Sequence, residues 1–395
     1  MQQNAIYLDH SATTPAHPAV IEAMAPYWHD QYGNPSSHHR TGYVAARAVS
    51  AARERVAEIL GTAPDAIVFT GCGSESNNIA LRGVMTAARA AGRGNHLITS
   101  AVEHSAVLAT AMQLRDYFGF DLTILPTDKY GRVRPADVEA AIRPDTALIS
   151  VMAANNEVGS IQPWPEIGAL ARSRGILFHT DAVQLIASRR WNLSAEPIDL
   201  MTIAPHKFYG PKGVGILVVR PGTELVSSQT GGGHEGGLRA GTLNVPLIVG
   251  AAEALSLAAA ELEQRRAHVL PLRDQLLDQL PAALPELCIV TGHPTERLMH
   301  HASFAFRGLS GNDLLIHLDV AGIAASSGSA CSSGDPKPSP ILQALGLGPE
   351  WTTGGLRLTL GIQNTQADID YTVRALTAIA RDLAALESGI SVAST

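Results

Sequence analysis

Residues 66–92 read AIVFTGCGSESNNIALRGVMTAARAAG. The β-branched and aromatic run AIVFT (66–70) has the make-up of a short buried strand, and from Ser76 onward apolar residues recur at 3.6-residue spacing. Between them lies a tight turn rich in Gly and Ser. Strand, turn and helix in that order present backbone N–H groups and a hydroxyl at a helix N-terminus, a ready seat for a phosphate, with Gly71, Gly73 and Ser74 around it. The turn is not a nucleotide fingerprint, because GCGSES lacks the third glycine of GxGxxG and no GxxxxGK[ST] occurs. A plain turn with Ser74 or Ser76 as helix cap accounts for the same letters.

Outward from this unit the alternation continues. Strand-like runs are HLITS (96–100), FDLTILP (120–126), TALISVM (146–152), GILFHT (175–180), DLMTIA (199–204) and GVGILVVR (213–220), with helical segments such as ADVEAAI (136–142) and WPEIGALARSRG (164–175) between them. The pattern predicts an α/β domain whose seven-stranded sheet is mostly parallel and covered by helices. After TGGGHEGGLRAGT (230–242) the texture changes. Helical stretches at 248–280 and 368–389 bracket strand-like HASFAFRG (301–308) and LRLTLG (356–361), which reads as a smaller α+β domain. The division expected is 16–260 for the large domain, with 1–15 and 261–395 forming the small one.

The chain has 395 residues, 46% of them hydrophobic and 16% charged, with a net charge of −7. That describes a globular enzyme and argues against a nucleic-acid partner, which needs a basic face. Cysteines at 72, 288 and 331 form no CxxC pair and are odd in number, against a disulfide framework or a structural zinc site and for a reducing compartment. The N-terminus MQQNAIYLDHSATTP has no basic and apolar leader pattern, and no 18-residue apolar run follows. A cytoplasmic protein without a membrane partner is expected.

Two further segments carry chemistry. HTDAVQ (179–184) and APHKFYGPKG (204–213) follow strand-like runs, where ligands bind in open α/β sheets. Asp181 stands in an apolar context, and a buried carboxylate needs a cationic partner or neutralises. Lys207 lies between a histidine and an aromatic pair, and a desolvated lysine can serve as an amine nucleophile. A simple Asp181–Lys207 ion pair, or a surface-loop position for Lys207, accounts for the same residues. A phosphate cradle, a buried acid and a lysine, each after a strand, also match the three handles of pyridoxal phosphate: phosphate, ring nitrogen and aldehyde.

With that combination the chain resembles the cysteine desulfurases of class V aminotransferase type, fold-type I pyridoxal phosphate enzymes of the nitrogen-fixation and iron-sulfur-cluster group. The motifs that carry the resemblance are YLDHSATTP (7–15), GNPSS followed by His39, FTGCGSESNN (69–78), EH (103–104), NNEVG (155–159), HTDAVQ, HKFYGPKG (206–213), GGGHE with LRAGT (231–242), SSGSAC (326–331), ALGLG (344–348) and LRLTLG. It implies that Lys207 holds the cofactor aldehyde as a Schiff base and that Asp181 pairs with the pyridinium nitrogen. His104 stacks on the ring, and Asn155 and Gln184 bond its phenolic oxygen. Gly73, Ser74 and His206 bind the phosphate, joined by Thr242 from the other subunit of a homodimer.

For substrate, a planar guanidinium matches an amino-acid carboxylate, which points to Arg357, with Asn34 as second contact. The resemblance implies L-cysteine as substrate and L-alanine as product, with the persulfide left on Cys331 for an iron-sulfur scaffold or another sulfur acceptor. Lys207 is the base and His104 an acid or base. No Lys, Arg or His lies within five residues of Cys331, so its thiol is expected to be activated at the cofactor site. Its neighbours, AASSGSACSSG (324–334), are too small to bury it and suit a moving loop.

The chain departs from the family pattern at Ala204, where a phosphate-binding serine is usual, and at Gly236, where arginine is common. Alternatives are a selenocysteine lyase or another β-eliminating enzyme on the same scaffold, and a cofactor-free Cys/His hydrolase. A visible chromophore would exclude the hydrolase.

Overall fold

The computed structural model describes residues 5–327 and 338–387. A short N-terminal strand β1 (Ile6–Tyr7) precedes the seven expected strands: β2 (Ile67–Thr70), β3 (His96–Ser100), β4 (Asp121–Leu125), β5 (Thr146–Ser150), β6 (Leu177–Asp181), β7 (Leu200–Ile203) and β8 (Gly215–Val219). They form one sheet in the order β2-β8-β7-β6-β5-β3-β4. All neighbours are parallel except β8, which runs antiparallel to both β2 and β7. The sheet is mostly parallel, and the β-branched runs that marked the strands lie in it.

Side-chain alternation divides the buried residues between the two faces. Ile67, Phe69, Ile98, Ile149 and Ile203 pack with residues of the helices Arg40–Leu60, Trp164–Ser173 and Val245–Ala260. Val68, Leu97, Leu148, Leu200 and Leu217 pack with the helices Gly73–Ala90 and Ser105–Phe118. Burial of each such side chain contributes roughly 1.5–3 kcal/mol, so the two-sided coverage favours a continuous apolar sheet.

A separate apolar cluster surrounds the antiparallel strands β9 (Cys288–Val290), β10 (His301–Phe306) and β12 (Gly355–Thr359), in the order β12-β10-β9. It includes Leu272, Leu276 and Leu280, the helix Gln366–Glu387, and also Leu8 from the N-terminus. β1 pairs in parallel with β11 (Ile323–Ala324) beside it.

The helical stretch 248–280 is two helices. Val245–Ala260 and Leu262–Ala283 meet at Glu261 with a bend of 70°. The first buries Leu255 and Ala258 against the large sheet and the second buries Leu276 and Leu280 against the small one. Apolar periodicity survives the bend, which is why it was invisible in the sequence.

One close approach sets the geometry of the phosphate-type turn. A Cβ at Gly215, the first residue of β8, would stand 2.5 Å from the Cys72 carbonyl carbon, so only glycine lets β8 run under the turn that opens the helix Gly73–Ala90.

Candidate active site

The carboxyl ends of the central strands converge on one cluster. The helix Gly73–Ala90 starts there, with Cys72 as N-cap accepting Glu75 N–H on its sulfur. The N–H groups of the first turn, at Gly73 and Ser74, have no helical acceptor. Gly73 is buried and Ser74 exposed. A Cβ on Gly73 would lie 3.2 Å from the Ala204 Cβ and 3.4 Å from a Val183 methyl, so this helix start touches the ends of both β6 and β7.

Asp181, the last residue of β6, is 5% exposed. Its Oδ2 accepts a hydrogen bond from Asn77 Nδ2 at 2.7 Å and its Oδ1 one from Val183 N–H at 3.0 Å. Both donors are neutral. Lys207, in the 3-10 turn after β7, does not neutralise Asp181: its amine donates to the backbone carbonyls of Ser11 at 2.6 Å and Ala12 at 2.7 Å. The ion pair that the sequence left open is therefore absent. Burial pushes the amine down to about 8, the Arg357 guanidinium adding to the shift while Asp181 and Asp9 oppose it. Two residues on, Tyr209 has φ +70, an uncommon conformation for a side-chain-bearing residue, held by Thr14 Oγ1 accepting from its N–H at 2.6 Å.

His206 contacts Thr13 Oγ1 through Nδ1 at 3.2 Å. Burial, with Lys207 and Lys212 nearby, lowers it to about 4, so the ring is neutral at pH 7. His104 is exposed and N-caps the helix Ser105–Phe118, its Nδ1 accepting from Ala106 N–H at 3.1 Å. Capping occupies one ring nitrogen and leaves the other nitrogen for a ligand. Gln184 donates to the Ser11 carbonyl at 3.0 Å, the same oxygen that takes Lys207. Asn155 is fully buried, and both ends of its amide are engaged: Oδ1 accepts from Glu157 and Val158 N–H, and Nδ2 donates to the Val102 carbonyl at 2.8 Å. It holds the turn 155–159 together, and the contact from Nδ2 to the Met152 sulfur, 3.7 Å between the two heavy atoms, is its weakest bond.

Arg357 lies in β12, 5% exposed. Its Nη2 donates to Asp9 Oδ1 at 2.7 Å and its Nη1 to the Asn156 carbonyl at 2.9 Å. Ser326 pairs with it through the backbone in both directions, at 3.2 and 2.7 Å. Asn34 and Thr242 are exposed and stand outside this network, with Asn34 Oδ1 accepting from Ser36 N–H at 2.9 Å. Cys331 lies outside the described residues.

Sequence reasoning missed four contributors. The N-terminal segment threads the site: Asp9 takes Arg357, the Ser11 and Ala12 carbonyls take Lys207, Thr13 touches His206, and Thr14 bonds the His206 carbonyl. YLDHSATTP was visible as a motif, but its partners lie near residues 206 and 357, too remote for any local pattern. Glu103 is buried with Oε1 accepting from Ser100 Oγ and Met152 N–H, and Oε2 without a partner among the described residues. Burial pushes its carboxyl up to about 8, Asp181 adding to the shift, so it is protonated at pH 7. Glu157 is raised to about 7 by burial and accepts from Ser339 Oγ at 3.2 Å. Glu235, at φ +49, receives Arg53 and the Phe69 N–H beside β2. The next residue, Gly236, has φ +63, a left-handed conformation that favours glycine over the arginine common in the family.

The donor set fits pyridoxal phosphate. A buried carboxylate with only neutral partners accepts a ring N–H, an amine of lowered basicity accepts the aldehyde, and a helix N-terminus beside a neutral imidazole accepts the phosphate. Ala204 faces Gly73 at the phosphate end and gives the turn Pro205–Lys207 no side-chain cap. A hydrogen bond to a charged group contributes about 1.5–3 kcal/mol, so Ala204→Ser is expected to bind the cofactor roughly ten- to a hundredfold more tightly. Titrating pyridoxal phosphate into cofactor-free wild type and variant measures this, and equal affinities would count against it.

Comparison with known proteins agrees with this chemistry. The aminotransferase class-V family model matches residues 6–372. A protein named cysteine desulfurase IscS from Methanosarcina thermophila is 44% identical over 382 residues, 97% of this chain and 93% of that relative. A mitochondrial cysteine desulfurase from Arthroderma benhamiae is 42% identical over 94% of this chain and 73% of its own length. Among solved structures, a NifS-like protein superposes with a TM-score of 0.89 at 35% identity, covering 96% of this chain and all (100%) of that one. SspA in complex with cysteine gives 0.79 at 34% identity, over 91% of this chain and 100% of its own.

Proposed function

The chain belongs to the class-V aminotransferase family, and from that premise we propose that it is a pyridoxal phosphate-dependent cysteine desulfurase that passes sulfur to Cys331 for iron-sulfur cluster assembly or other sulfur transfer. The observation that carries the reading is the division of labour between Asp181 and Lys207. The buried acid is left to neutral donors while the amine, lowered to about 8, is held apart by the Ser11 and Ala12 carbonyls.

The cofactor, when bound, supplies an electron sink that loosens the Cα proton and the carbon–sulfur bond. Asp181 supplies the counter-charge to the ring nitrogen. Gly73, Ser74 and the neutral His206 hold the phosphate, His104 offers its exposed ring to the cofactor face, and Gln184 and Asn155 border the phenolic side. Lys207 provides the amine that holds the aldehyde and then accepts and returns the Cα proton. Arg357, with Asn34 as second contact, holds the substrate carboxylate. The Cys331 thiolate attacks the substrate sulfur, so that an S–S bond forms while the C–S bond breaks with its electron pair passing to the substrate carbon. L-cysteine and the Cys331 thiol thereby become L-alanine and a Cys331 persulfide, with no other reactant.

The homodimer, the sulfur-accepting partner and the two-domain division belong to the same proposal. A dimer is supported by Ile21, Trp28 and Tyr32, which are 57%, 60% and 73% exposed on the helical N-terminal third, and Thr242 lies at the surface, where a partner's cofactor could meet it. The division at about 260 is supported by the separate apolar clusters on either side of the Glu261 bend. A cytoplasmic setting is supported by the unpaired thiols of Cys72 and Cys288.

The test is mass spectrometry of the protein after brief exposure to L-cysteine, with L-alanine assayed in parallel. One added sulfur on the peptide containing Cys331, matched by L-alanine, is the expected result. Alanine release with no sulfur on that peptide would assign sulfur transfer elsewhere.

A further inference from the structure

We propose that Asp9 is a positioning residue, which holds the Arg357 guanidinium ready for the substrate α-carboxylate and thereby sets the preference for an amino acid over an amine that lacks one. The proposal rests on the carboxylate-binding reading of Arg357 given above. It reaches beyond that reading to a residue of the N-terminal segment.

A guanidinium has five N–H donors in a rigid plane. In Arg357 one Nη2 hydrogen goes to Asp9 Oδ1 at 2.7 Å and one Nη1 hydrogen to the Asn156 carbonyl at 2.9 Å. The Nε–H is buried and has no partner among the described residues, although the whole side chain is only 6% exposed. Buried donors are nearly always paired, so the orphan Nε and the two Nη hydrogens without an acceptor among the described residues mark a place for an arriving carboxylate. Two fixed bonds in one plane stop the fork from rotating. A carboxylate arriving at the free edge then meets donors that are already aligned, and affinity is not lost to ordering the side chain.

Asp9 is itself held. It bridges to Thr359 of β12, the Tyr7 hydroxyl donates to its carbonyl at 3.1 Å, and the next residue, His10, contacts the Thr359 carbonyl through Nδ1 at 2.9 Å. The acid is thus tied to the same strand that carries the arginine. With the acid side chain 20% exposed, the pair is partly shielded from water, where a charge-assisted hydrogen bond orients well.

A carboxylate beside the arginine has an opposite possible consequence. Asp9 would compete with the substrate for the guanidinium, and removing it would tighten binding. The two consequences have opposite signs.

The experiment uses the cofactor-loaded enzyme and two sulfur-free probes, L-alanine and ethylamine, which differ by the carboxylate. Dissociation constants come from the change in visible absorption. Asp9→Ala is expected to weaken L-alanine about tenfold relative to ethylamine, and Asp9→Asn, which keeps an acceptor without the charge, about threefold, while the loss of the Asp9 charge near Lys207 acts on both probes alike. A purely structural defect would move both probes together. An unchanged ratio of the two constants in both variants, or tighter L-alanine binding, overturns the proposal. If Asp9→Ala fails to fold, Asp9→Asn decides alone, and an unchanged ratio there overturns it. Arg357→Ala is the control: a lost preference for L-alanine supports the carboxylate reading, and a retained preference shows that this reading has failed, taking the Asp9 proposal with it.

Discussion

Lys207→Ala is expected to lower L-alanine release from L-cysteine by about a thousandfold or more, the combined effect of losing the nucleophilic amine and the base. Borohydride should no longer fix the cofactor to the protein. The fold should survive, because Lys207 bonds two backbone carbonyls of the N-terminal segment and belongs to none of the apolar clusters. The pH dependence follows from the same environment. With its amine lowered to about 8, roughly one tenth of Lys207 is the free base at pH 7, against less than about one in a thousand for a lysine at its ordinary value near 10.4. Only the free base attacks an aldehyde. Development of the visible absorption after adding pyridoxal phosphate to cofactor-free wild type should therefore accelerate about tenfold from pH 6 to pH 7 and level off above pH 8 to 9. A rate flat across that range would contradict the lowered basicity, and a borohydride-stable adduct in Lys207→Ala would contradict the residue's role.

The parts of this site legible in the sequence are those where local pattern and chemistry coincide. AIVFT followed by GCGSES becomes β2 and a helix N-terminus because a strand run and a turn signal are both short-range features. All seven strands of the large sheet lie within two residues of the runs that marked them. The direction of β8 was not legible. GVGILVVR carries no mark of strand direction, and its antiparallel course brings Gly215 under the Cys72 carbonyl. The very short strands β1 and β11 carry too few residues for any period. Least legible was the N-terminal segment as organiser. Ser11 meets Lys207 across 196 residues and Asp9 meets Arg357 across 348, and nothing in a local window announces either partner. Charged residues also misled by type: Asp181 and Lys207 suggested a mutual ion pair, and the carbonyls of two ordinary residues took the lysine instead.

Cys331→Ala is expected to keep the cofactor, since none of the groups assigned to hold it involves that residue, and to lose sulfur removal from L-cysteine by at least about a hundredfold, the effect of deleting a covalent nucleophile. Ser326 is joined to Arg357 by two backbone hydrogen bonds, and Cys331 follows five residues later in the sequence, at most about 18 Å of extended chain. Selenocysteine separates the two readings of the scaffold. Alanine forms from L-selenocysteine without an enzyme thiol when the C–Se electron pair stays on carbon, the selenol proton is taken up there and selenium is lost at the zero-valent level, so Cys331→Ala should retain most alanine release from L-selenocysteine while losing it from L-cysteine. A variant with full activity on both would show that Cys331 has no part in the reaction. A variant inactive on both, with the visible absorption intact, would place Cys331 in proton transfer or substrate binding and not in sulfur capture alone.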